Sequence, residues 1–321
     1  MQPGISIVWD VFEMQDKIFP VLRAIASEIQ ELPCMVEIII VDRGSGDNTV
    51  FEALQASETY HLQVKVIQSG AGNDGSALNA GIFRAGGKYI TFLRPAAFFR
   101  GHLKPLYEAI EKKEADMAFG EMLSTEFGAG KPTILQRIRH AYFRDGNGAD
   151  TLLALIKGEK AADFSCLLFK SEFIFYNKLL FEENARIGCE EEFLDRCLLL
   201  TDHVCEVRGP FVRDKNLTFQ TEKEIPLFAG FDRVDAIVRI YEDAKIYRKD
   251  SKNLIEVLKD HKIPQIVLET IESSLQNGCG YNVLRHYMSK NGYQKLLHIG
   301  RLTPFSLKRK ILLWRNLPWM Y

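Results

Sequence analysis

The chain has 321 residues, 46% of them hydrophobic and 26% charged, the proportions of a globular protein with room for one large domain or two modest ones. With 41 basic against 42 acidic side chains the formal charge is −1, so the average composition encodes no long-range attraction to nucleic acid. The six cysteines show no CxxC pair and no familiar zinc spacing, no basic-then-apolar leader opens the sequence, and no run approaches the ~20 apolar residues of a membrane-spanning helix; reduced thiols and a cytoplasmic location are the expectation.

Ile5 to Trp9 is a short apolar run suited to a strand, and Ile18, Val21, Leu22, Ile25 and Ile29 recur behind it at helical spacing. Pro33 breaks the connection before a β-branched strand, 34–42, that ends at Asp42. A helix follows over 47–54, a strand over 62–68, and a helix over 74–86 that Gly86-Gly87 stops. Strand 88–93, helix 102–112 and strand 115–122 continue the alternation, which indicates a doubly wound α/β fold, a largely parallel sheet flanked by helices. Ligands of such sheets bind beyond the carboxyl ends of the strands, and Asp42, Arg94 and Glu121 lie near those ends.

After residue 130 the pattern loosens. A helix is expected over 132–143, a strand over 161–170 and an acid-rich helix over 190–200. Little strand signal remains after 222, where the segments 231–247, 263–276 and 281–299 read as helices. The expected organisation is an α/β domain over 1–215 and a helical extension over 216–321.

On local chemistry, Asp42-Arg43-Gly44-Ser45-Gly46-Asp47-Asn48-Thr49 is a tight turn in which Asp47 or Asn48 caps the next helix. The glycine-rich 70–81 stretch lacks both GxGxxG and a Walker lysine. There is no G-x-S-x-G elbow, and none of the seven histidines forms an HxH or HExxH pair.

Three stretches taken together, "ISIVWDVFE", "VEIIIVDRGSGDNT" and "NDGSALNAGIFRAGGKYITFL", resemble the amino-terminal half of family 2 glycosyltransferases, which have the GT-A fold. The resemblance spans about 95 residues and includes Ala77, Asn79, Gly81, Ile82, Ala85, Gly87, Tyr89, Phe92 and Leu93. It implies a nucleotide-sugar donor, with Asp42 against the nucleobase and with Phe12, Asn79 and Arg94 at the donor site. The chain departs from the family in two places that matter. Arg43 replaces a second acid, and Arg94-Pro95-Ala96-Ala97 stands where the family has the D-x-D carboxylates that hold Mg²⁺ or Mn²⁺. Alanine offers a hard cation no ligand. Arg94 is therefore either a phosphate partner, through its planar fork of donors, or a structural ion pair. Asp10 and Glu13 add negative charge nearby, which leaves open a relocated Mg²⁺ or Mn²⁺ site.

For the catalytic base, "GCEEEFLDR" aligns with the family's E-D-x-x-F-x-x-R through Phe193 and Arg196. That alignment puts Glu190 at the position of the catalytic Asp, with Glu191 the nearby substitute. The bland reading is that three acids favour the positive end of a helix.

The stretch 304–321 mixes Lys308, Arg309, Lys310 and Arg315 with Leu307, Ile311, Leu312, Leu313, Trp314, Leu317, Trp319 and Met320. Such a segment either docks on its own domain or a partner protein, or rests on a membrane surface, here the inner face. Two functions compete. One is sugar transfer to a saccharide or lipid-linked acceptor without the usual metal site. The other is a non-catalytic homologue that binds a partner glycosyltransferase or a glycan.

Overall fold

The computed structural model describes residues 4–70, 72–94, 99–121, 142–208, 211–213, 217 and 226–316. In chain order the first half comprises β1 (Ile5–Val11), α1 (Gln15–Ile29), β2 (Val36–Asp42), α2 (Thr49–Thr59), β3 (Gln63–Gln68), α3 (Asp74–Arg84), β4 (Tyr89–Leu93), β5 (Phe99–Arg100), α4 (Leu103–Lys113) and β6 (Met117–Glu121). It continues with β7 (Tyr142–Gly146), α5 (Gly148–Ile156), β8 (Ala162–Lys170), α6 (Ser171–Tyr176), α7 (Cys189–Leu200), β9 (Val204–Arg208) and β10 (Val212–Arg213). The helical end holds α8 (Gly230–Tyr247), α9 (Lys252–Val257), a π-helical turn (Leu258–Lys262), α10 (Ile263–Gln276), α11 (Tyr281–Lys290), a 3₁₀ turn (Tyr293–Leu296) and α12 (Phe305–Asn316).

Eight strands form one sheet in the order β3-β2-β1-β4-β8-β6-β9-β7, and β5 pairs with β10 in a small second ribbon. The pairs among β3, β2, β1 and β4 are parallel, as is β6 with β9, while β8 and β7 run against their neighbours. Every residue of β1, β2 and β4 is buried, which is why these strands read as continuous apolar runs rather than as alternations.

The β1–β4 junction shows how the glycine pair works. Buried Glu37 of β2 accepts from Ser6 Oγ at 2.5 Å, from Gly86 N at 2.7 Å and from Lys65 Nζ at 2.6 Å. A Cβ on Gly87 would lie 2.7 Å from both the backbone N and the Oγ of Ser6, so only glycine lets the chain turn this close to β1.

Two expectations change. Tyr142 and Phe143, the end of the helix expected over 132–143, begin strand β7; the rest of that segment lies outside the described residues. Val204–Arg208, for which no strand was expected, sits between β6 and β7. Its central Glu206 is buried and ion-paired with Lys160, which removes the objection to a charge in an interior strand.

The helical end is not separately packed. Val234, Ile237 and Ile240 of α8 and Ile266, Val267 and Ile271 of α10 belong to the same buried cluster as Phe193, Leu194 and Cys197 of α7. All six cysteines are free thiols.

Candidate active site

Register places the site. Asp10 of β1 lies opposite Val41 of β2, and Trp9 lies opposite Leu93 of β4, so Asp10, Arg43 and Arg94 emerge side by side at the carboxyl edge of three parallel strands. Arg43 N donates to Val11 O at 3.0 Å, which continues the ladder one residue past β2. The fourth contributor, Asp74, is the first residue of α3, whose start is capped by Asn73 accepting from Ser76 N at 3.0 Å.

Glu190 comes from α7, which packs in the same core cluster as α3. It sits in the first turn of α7, after Gly188 in a left-handed conformation at φ 85°. The helix is positioned by an aromatic cluster: Phe193 stacks on Phe181 at 4.1 Å and meets Phe92 of β4 edge-on at 5.7 Å. Phe181 in turn is clamped by Asn79 of α3. The Asn79 amide donates to Phe181 O at 3.0 Å and to Glu183 Oε1 at 3.0 Å, and it accepts from Phe181 N at 2.8 Å.

The result is an ion cluster around Arg94. Its Nη1 meets Asp10 Oδ1 at 2.5 Å, and its Nη2 meets Glu190 Oε1 at 2.5 Å and Asp74 Oδ2 at 3.4 Å. Arg43 forms a second bridge, with Nη1 3.2 Å from Asp74 Oδ1 and Nε 3.6 Å from Asp10 Oδ2, and its guanidinium lies 5.6 Å from the Phe12 ring centre. Three carboxylates face two guanidiniums, so one negative charge is left over. Burial opposes the charge on Arg94, but Asp10, Glu190 and Asp74 outweigh it and hold the guanidinium above its usual range. Burial pushes the Glu190 carboxyl up, Arg94 opposes the rise, and Asp10 and Asp74 add to it. The neighbouring Cys189 thiol is pushed up to about 12 by burial and by the Glu190 charge, so it is no nucleophile near neutral pH.

The remaining expected residues fall around this cluster or away from it. Asp42 is buried and accepts from Gly44 N, Ser45 N and, at 2.6 Å, Ser45 Oγ, which fixes the turn after β2; Gly44 supplies the positive φ there, 87°. Asp47 accepts from Thr49 N at 3.0 Å and so serves the start of α2. Phe12 is 42% exposed at the rim. Asn79 is turned inward, its amide committed to the Phe181 loop as above. Glu191 does not join the cluster: its carboxylate faces Arg233 at 3.2 Å and Lys262 at 3.5 Å. Asp74 was missed as a site residue because the sequence shows it only as the helix opener in "DGSALNAG".

A divalent cation does not fit the described residues. Asp10, Asp74 and Glu190 converge on the Arg94 guanidinium, and no group of three or more His, Cys, Asp or Glu among the described residues is arranged to hold a metal ion. Pro95, Ala96 and Ala97, which follow, bring no side-chain donor.

A mostly parallel sheet of this order, with its charged cluster at the carboxyl edge of β1, β2 and β4, defines a GT-A-type α/β fold. The crystal structure of S. aureus TarS 1-349 superposes on this chain with a TM-score of 0.58 at 17% identity, covering 80% of this chain and 69% of that one. The same TarS fragment in complex with UDP-GlcNAc gives 0.55 at 15% identity, over 96% and 78% of the two chains. Residues 20–171 match the model of glycosyl transferase family 2. No curated protein sequence matches it.

Proposed function

We propose that the protein transfers a sugar from a nucleotide-sugar donor to a hydroxyl of a saccharide or lipid-linked acceptor, with Arg94 and Arg43 supplying the positive charge that a divalent cation provides in metal-dependent relatives. One observation carries the reading: at the strand edge where the donor's diphosphate belongs, two arginines and three carboxylates form a half-buried cluster centred on Arg94. In this reading Asp42 and Phe12 border the nucleoside, and the diphosphate oxygens take over the guanidinium donors now held by Glu190. Glu190, released, accepts the proton of the acceptor hydroxyl as its oxygen attacks the anomeric carbon. The bond from that carbon to the diphosphate breaks, and its electron pair leaves with the nucleotide. The arginines stabilise that developing charge, a contribution of the kind whose removal costs about 100- to 1000-fold in kcat. Glu190, rather than Glu191, is the base because Glu191 is tied to the helical end.

Calorimetric titration with UDP, GDP and their common sugar conjugates, with and without Mn²⁺, tests this. Binding indifferent to metal and weakened at least about tenfold in Arg94→Ala is expected, and turnover should be lost in Glu190→Gln while binding persists. Binding that requires Mn²⁺ would refute the arginine-based site.

A second reading has its own support. Each guanidinium of the cluster already has carboxylate partners, so its charge is compensated without a ligand. If no nucleotide binds under either condition, the protein is a non-catalytic subunit for a partner glycosyltransferase or a glycan.

A further inference from the structure

Residues 273–321 carry eight Lys and Arg side chains and no Asp or Glu, whereas residues 1–272 hold the other 33 basic and all 42 acidic ones, a formal charge of −9. The near-zero average therefore hides a molecule with one basic pole. That pole is built from α11, the turn 293–296 and α12, which pack on one another. Tyr281 meets Trp314 edge-on at 5.4 Å, Gln294 Nε2 donates to Arg285 O at 3.2 Å, and Arg315 Nη2 donates to Leu297 O at 2.5 Å.

Helix α12 has two opposed faces. Leu307, Ile311 and Trp314 are buried, and Lys310 reaches back to Glu272 of α10 at 2.7 Å, so the helix is docked on its own protein. On the other side Phe305 is 82% and Leu312 48% exposed. Spacings of four and seven residues put Phe305, Arg309 and Leu312 on one stripe, with Lys308 beside it. Lys308 and Arg309 have no ion-pair partner among the described residues, and neither do Arg285, Lys290 and Lys295 of the adjoining segments.

We propose that this pole, and the Phe305/Lys308/Arg309/Leu312 stripe above all, docks on the surface of a membrane containing anionic phospholipid. Unpaired cations interleaved with large exposed apolar groups match the headgroup boundary, where phosphates meet the cations and acyl chains meet Phe305 and Leu312. A nucleic acid would satisfy the cations but leave both apolar side chains in water. The acidic remainder of the chain is repelled by the same surface, which orients the molecule with its basic pole toward the lipid. The inference does not depend on the catalytic reading.

Sedimentation of the full chain with vesicles of phosphatidylcholine, alone or mixed with phosphatidylglycerol, tests the proposal. Binding is expected only to the mixed vesicles and should fall steeply with salt. At about fivefold per lost cation, Lys308→Glu with Arg309→Glu should lower partitioning at least ~25-fold. Phe305→Ser should lower it as well, with the melting temperature of both variants unchanged because Phe305 and Arg309 are exposed and Lys308 is only partly buried. Equal binding to neutral vesicles, binding to neither, or binding insensitive to Phe305→Ser would overturn the proposal, as would tighter binding to single-stranded RNA than to the mixed vesicles. Nucleotide titration of the same variants reads the donor site separately, so the two readings fail independently.

Discussion

Glu190, Glu191 and Glu192 are consecutive, and at about 100° per residue in a helix they leave α7 in three directions. Glu190 faces Arg94, Glu191 faces Arg233 and Lys262, and Glu192 takes a bidentate pair from Arg239 at 2.7 Å. The sequence could show that acids favour a helix start, but not which acid meets which base. Asp195, on the same helix, behaves differently: burial, with Glu191 adding to it, pushes its carboxyl up to about 8 against the opposing charge of Lys262. From roughly pH 4 to pH 8 the folded chain keeps a proton there that the unfolded chain has lost, so this group makes stability fall as pH rises across that window. Asp195→Asn should remove that slope and raise stability above pH 8 by up to about 5 kcal/mol. Melting temperatures of the two proteins at several pH values check it, and parallel pH profiles would show that Asp195 ionises normally.

At the scale of elements, α3 and α7 are coupled through a loop. Asn79 clamps Phe181, Phe181 stacks on Phe193, and Phe193 packs against Phe92 of β4. Asn79→Ala would leave the buried backbone N and O of Phe181 without these partners, a loss of about 2–4 kcal/mol. The expected readout is a lower denaturation midpoint together with faster amide exchange over 181–193; a midpoint shift without faster exchange there would argue against the coupling. The first six strands and helices were legible because buried parallel strands and one-sided helices leave unmistakable periods. Strand β9 was not, since Glu206 looks solvent-facing until Lys160, far from it in sequence, is brought alongside.

For the whole molecule, the question is whether the helical end folds by itself. Its α8 and α10 share one apolar cluster with α7, and Glu192–Arg239, Glu191–Arg233 and Thr270 Oγ1 to Gly230 O at 3.2 Å stitch the same helices together. We expect calorimetry to show a single unfolding transition, because separating the helical end would expose that cluster on both sides. Two resolved transitions would instead mean independent units. The tail of the sequence also illustrates how an average misleads: a charge of −1 overall conceals the basic pole, and only the packing of α12 shows which of its apolar residues face out.

By itself the sequence determined the alternating α/β order, the strand edge at which Arg94 falls, and the absence of acids at Arg94-Pro95-Ala96-Ala97. These are local facts, written in periodicity and in residue identity. The tertiary structure alone decided what Arg94 does. Its partners Asp10, Asp74 and Glu190 come from β1, α3 and α7, and they meet only because β1 lies beside β4 in the sheet and an aromatic cluster sets α7 over both. Ion pairs between elements depend on which strands become neighbours, and that is fixed by the burial of the whole core rather than by any one stretch of chain.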